Sequence, residues 1–134
     1  MKKHTLTLVV AVALLLITPL SFAGNADQEI STATTHAKMG TAAGDMPTAI
    51  MHLHHVINCL VGPNSKSFDA KVGDPCQGMG DGALNDIGHA PAAHIKLERA
   101  LTMAERALHA NSLDAARQDA ARIAEVLEAA GPSE

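Results

Sequence analysis

The stretch P-T-A-I-M-H-L-H-H-V-I-N-C-L-V, Pro47 to Val61, decides the fold. At about 100° per residue, Ala49, Ile50, Leu53, Val56, Ile57 and Leu60 fall on one stripe, so the segment reads as an amphipathic helix. Met51, His52, His55 and Cys59 fall on the far side, and His54 sits near the boundary. His52 and His55 are spaced i,i+3, and His55 and Cys59 i,i+4, so each pair can meet above one helical face. Imidazole suits copper, nickel and zinc, while thioether and thiolate suit the softer Cu(I). The expectation is a metal half-site made of His52, His55 and Met51, with His54 beside it. The opposing reading is a surface histidine cluster covered by a loop.

Outward from this segment, Asp45 is placed to cap the helix, Pro47 fits its first turn, and Gly62-Pro63 ends it. Upstream, Asp27 to Ala43 carries Ile30, Ala33, Thr34, Ala37 and Thr41 on one side and stops at Gly44-Asp45. His36 and Met39 lie off that stripe on an adjacent helix, which makes them candidates to complete the half-site.

Downstream, Gly62 to Gly82 is rich in Gly, Pro, Asp, Asn and Ser and has no periodicity. A structureless stretch that long is usually functional or tied down. Its Asp74 to Gly82 portion lacks the alternating ligands and terminal Glu of a calcium loop, and Met79 is free to approach the histidine face. Cys59 and Cys76 are the only cysteines. In an oxidising compartment they are expected to pair, which stabilises by ~3 kcal/mol in the chain-entropy picture. The bridge would hold the loop over His52 and His55. The competing reading makes one or both cysteines thiolate ligands.

A third helix runs from about Pro91 to Ala110, with His94, Leu97, Leu101, Ala104 and Leu108 in line. His94 is therefore expected to face the core, as a satisfied core histidine or as a ligand to a metal or a non-covalent haem. Ser112 can cap a fourth helix carrying Leu113, Ala116, Ala120, Ile123, Ala124 and Leu127, stopped by Gly131-Pro132. His89 and His109 read as exposed helix-end residues. Short connections make helices one and two, and three and four, antiparallel pairs. The expected fold is all-α, an up-and-down four-helix bundle with one long disulfide-tied loop between helices two and three.

The N-terminus carries its own signal. Lys2 and Lys3 precede an apolar run from Leu6 to Ile17, and Ser21-Phe22-Ala23 supplies small residues where a signal peptidase reads. Residues 1–23 are expected to be a cleaved bacterial export signal, leaving 24–134 as a single domain in the periplasm with no transmembrane segment. Loss of the two lysines takes the formal charge from −4 to −6, which argues against nucleic acid as a partner. With no Trp or Tyr, and Phe68 the only aromatic after the leader, the core is built from aliphatic residues and much alanine. Such a bundle also leaves room for a homodimer.

Catalytic patterns are missing: no G-x-S-x-G, no H-E-x-x-H and no phosphate loop occur, and no C-x-x-C-H for covalent haem. The expectation is a protein that is not an enzyme.

The leader, the Ala-rich helices, Ala33-Thr34-Thr35-His36-Ala37-Lys38 and Glu105-Arg106-Ala107-Leu108-His109-Ala110 resemble the small periplasmic metal-binding protein family of Gram-negative bacteria. That resemblance implies a periplasmic bundle whose histidines bind divalent ions, copper included. The family repeats histidine densely, whereas here seven follow the leader, so one or two sites are expected rather than bulk storage. The working expectation is periplasmic buffering or delivery of Cu, Ni or Zn. The alternatives are a non-catalytic interaction module presenting the Gly62–Gly82 loop to a periplasmic protein partner, or a non-covalent haem carrier using His94.

Overall fold

Polar caps set three of the helix starts. Asn25 accepts a hydrogen bond from the Gln28 amide (3.1 Å), Asp45 from that of Thr48 (2.8 Å) and Ser112 from that of Ala115 (3.1 Å). Each cap satisfies an amide that the first helical turn leaves unpaired, at a gain of about 1 kcal/mol. The structure, a computed structural model, describes residues 24–131, and all their regular elements are helical. These are α1 (Ala26–Thr41), α2 (Met46–Val61), α3 (Ala83–Asp86), α4 (Pro91–Ala107) and α5 (Leu113–Glu128), with a 3-10 turn at Ala70–Val72. The leader expected over residues 1–23 lies outside the described residues, as does Pro132. Among the described residues no helix is long and apolar enough to cross a membrane.

α1 packs on α2 and α5, and α4 packs on α5 and α2. Their shared core contains Ile30, Leu53, Val56, Ile57, Leu60, Leu97, Ile123 and Leu127, with Ala33, Ala37, Ala100, Ala104 and Ala120 between them. Burying each of the large side chains contributes roughly 1.5–3 kcal/mol. The alanines let the helices approach closely: a Cβ added to Gly40 of α1 would lie 3.2 Å from the Ala120 Cβ of α5.

One helical face is covered as the bridge requires, and another differs from its expected orientation. The side of α2 that carries His52, Asn58 and Cys59 does not face solvent, since these residues are 8, 1 and 0 % exposed. α1 and the long loop cover it. On α4 the buried line is Leu97, Ala100, Ala104 and Ala107, while Leu101 and Leu108 flank it. This small-residue line rotates His94 out of the core, leaving its side chain 41 % exposed and 3.7 Å from Glu98.

The loop leaves α2 and returns to its own starting point. Gly62 (φ 71°) and Gly82 (φ 97°) cross backbone to backbone, and a Cβ added to Gly62 would lie 1.9 Å from the Asp81 carbonyl oxygen. Only glycine tolerates both the left-handed conformation and that contact. Cys59 and Cys76 form a disulfide, so neither is a thiolate ligand. Asn58 adds a second anchor. Its Nδ2 donates to the carbonyls of Asp69 (2.9 Å) and Gly73 (2.8 Å), and its Oδ1 accepts from the Asp69 amide (2.9 Å). Residues 69–73 are thereby clamped to the last turns of α2.

Candidate metal centre

α2 presents His52 and His55 on the side that α1 covers, and α1 contributes His36 from off its apolar stripe. The helical spacing brings His52 and His55 together, and the α1–α2 contact adds the third ring. The Nδ1 of His36 stands 3.1 Å from that of His52 and 3.2 Å from that of His55. One nitrogen from each ring lies within 4.8 Å of the other two, so the trio could hold a metal ion.

The clamped loop orients one of the rings. His55 Nε2 donates to the Val72 carbonyl at 2.6 Å. A carbonyl only accepts, so the hydrogen of neutral His55 sits on Nε2 and its Nδ1 is left bare. Fixing one nitrogen through an outer hydrogen bond so that the other points its lone pair inward is how metal-binding histidines are commonly held.

Hydrogen bonding among the rings leaves the centre incomplete. His36 Nδ1 is close to two nitrogens and carries at most one hydrogen. If it donates to His55, it has no in-plane lone pair for His52; if it is bare, it faces the bare Nδ1 of His55. One close pair is always lone pair to lone pair or hydrogen to hydrogen, or shares one hydrogen. A cation at the centre would satisfy all three rings. Imidazole nitrogens about 2.0–2.1 Å from a tetrahedral zinc are separated by about 3.3–3.4 Å, within a few tenths of an ångström of the two contacts seen.

Electrostatics favour the unprotonated state that ligands need. Burial, and then the nearby His55 and His52, lower the pKa of His36 from 6.5 to about 4. Burial, and then His55, lower that of His52 as well. At neutral pH both rings offer lone pairs rather than charge.

The other candidates lie elsewhere. Met51 and Met39 are 38 and 46 % exposed. His54 is half-buried on α2 but is not one of the three converging rings. His94 stands beside Glu98 on α4, which removes the basis for a core haem ligand. Met79 accepts a hydrogen bond from Thr32 Oγ1 (3.6 Å) on α1 instead of meeting the histidines. The Val72 carbonyl and the Asn58 clamp escaped the sequence reading. A polar Asn58 beside Cys59 near the end of an apolar helix was the only hint of them. Compared with known protein families, curated proteins and solved structures, the chain matches none.

Proposed function

We propose that this chain is an exported, periplasmic, non-catalytic metal-binding protein that holds one Cu, Ni or Zn ion between α1 and α2. The convergence of the Nδ1 atoms of His36, His52 and His55 supports this reading. Three protein ligands leave at least one coordination position open. An open position suits an ion that is taken up and passed on, so buffering or delivery is the proposed task. The ring of contacts α1–α2–α4–α5 supports taking the four long helices as an up-and-down bundle, with the loop over His55 as its lid.

The test is native mass spectrometry of the unreduced chain beginning at Gly24, before and after exposure to Cu, Ni and Zn. One stoichiometric, selective adduct is expected, and it should disappear in each of His36→Ala, His52→Ala and His55→Ala. Equal adducts in the triple variant would sink the proposal. Weak, unselective adducts, with a partner recovered from metal-stripped extract, would favour the interaction module instead.

A further inference from the structure

A second buried polar group lies at the other end of α1. Glu29, 1 % exposed, accepts a hydrogen bond from the Gly82 amide at Oε1 (2.9 Å), while its Oε2 is buried without a partner. Asp86, the last residue of α3, is close enough to bond and repel it. Asp86 Oδ2 accepts from the Asp81 amide (2.7 Å) and presses against Gly24, where an added Cβ would lie 1.7 Å from that oxygen. A Cβ sits about 2.5 Å from its own nitrogen, so the Gly24 nitrogen is within about 4.2 Å of Asp86 Oδ2. The Asn25 amide donates to the Met79 carbonyl (2.9 Å), which fixes the entry to α1 at this corner.

The charges here are of one sign. Glu29 and Asp27 come from α1, Asp81 from the loop and Asp86 from α3, and the lining Gly24, Asn25, Ala26, Asp27, Asp86 and Ile87 includes no basic side chain. Burial pushes the Glu29 carboxyl up to about 7; the Gly82 hydrogen bond opposes this, and Asp86 and Asp81 add to it. Near neutrality Glu29 is therefore only partly ionised, and a single cation at this corner would offset the negative charge gathered there.

We propose that this cation is the chain's own α-ammonium at Gly24, which pairs with the half-buried Asp86 and so completes its pairing with the buried Glu29. It arises when a signal peptidase hydrolyses the Ala23–Gly24 bond, water supplying a carboxylate to Ala23 and a protonated amine to Gly24. Before the cut that nitrogen is an uncharged amide with one hydrogen. After it, the nitrogen carries a positive charge and three donors, and locks the start of α1 to α3 and the loop end. The inference rests on the expected cleavage site and not on the histidine centre, so either can fail without the other.

Three chains decide it: one beginning at Gly24, the same chain N-acetylated, and one retaining Ala23. The α-amine of the Gly24 chain, titrated by NMR, should lose its proton about tenfold less readily than an ordinary α-amine of pKa about 7.7–8.0. Retaining Ala23 should restore ordinary titration, as should Asp86→Asn in the Gly24 chain. Acetylation should lower Tm in the wild type and have no further effect in Asp86→Asn. An ordinary amine in the Gly24 chain, or an acetylation effect equal in both backgrounds, would overturn the proposal. An exported chain whose mass begins at another residue would overturn it too. Should Asp86→Asn fail to fold, the Ala23 comparison decides alone.

Discussion

A carboxylate of α1 and a histidine trio shared by α1 and α2 lie under the end and the middle of one loop, and the loop backbone serves them in opposite ways. Glu29, in the first turn, receives an amide hydrogen from Gly82. The histidine trio, two turns on, is offered the Val72 carbonyl through His55. Burial favours the uncharged form in both places, raising the carboxyl and lowering the imidazoles. Each is left with one unmet need: Glu29 Oε2 has no hydrogen-bond partner, and the clustered Nδ1 atoms want an electron-pair acceptor. The same backbone thus selects an acid at one place and a base at the other, according to which peptide atom it turns inward.

The two regions also pull stability in opposite directions with pH. The folded pKa of Glu29 is raised from 4.5 to about 7, so its stabilisation is present below about 4.5 and is lost as pH rises to about 7. That of His36 is lowered from 6.5 to about 4, so its stabilisation is present above 6.5 and is lost as pH falls to about 4. Between roughly 4.5 and 6.5 the Glu29 slope, at most about 1.4 kcal/mol per pH unit, opposes that of His36, to which the lowered His52 adds.

The sharpest break in this comparison is loss of one ring of the trio. Each of His36→Ala, His52→Ala and His55→Ala should weaken metal binding by more than the roughly 100-fold that a lost supporting hydrogen bond costs, read by competition titration. Their effect on the Glu29 corner should be nil. Opening the disulfide acts on both regions, because it frees the loop they share. Reduction or Cys76→Ser should cost about 3 kcal/mol in denaturant unfolding. Asn58→Ala should cost about 2 kcal/mol from its three lost bonds and weaken metal binding, while leaving the Glu29 titration unchanged; an altered titration would show that the loop moves as one piece. Glu29→Gln should tilt the pH profile, so that stability rises with pH by roughly 1–2 kcal/mol between 4.5 and 6.5. A flat profile in that variant would break the assignment of opposing slopes. At the small end, Met51→Ala and His94→Ala should change stability by less than about 0.5 kcal/mol and leave metal affinity unaltered.

The helices were legible because their punctuation is chemical: Asp45, Ser112 and Gly62 act where sequence chemistry places them. His52 and His55 were legible as a pair because one helix sets their spacing, and His36 because it stood off its own stripe. The face of α4 was misread because leucines drew the line through Leu101 and Leu108, whereas close-packed helices bury alanine and let leucine flank. His94 followed that error. A carboxylate in a first helical turn, where Glu29 stands, has an ordinary surface role; only the return of the chain at Gly82 buries it. The Val72 carbonyl was illegible in principle, since a backbone atom has no residue type to announce it.

The Cys59–Cys76 bridge has a consequence for timing. Cys59 lies one turn beyond His55, and Cys76 lies four residues beyond the carbonyl that orients that ring. A newly made chain in a reducing cytosol has the three histidines but not the closed loop that presets one of them. On the metal reading, acquisition is thereby scheduled after oxidation. On the proposed export, the chain would leave the cytosol before the bridge presets His55, and its metal affinity would rise where the disulfide forms.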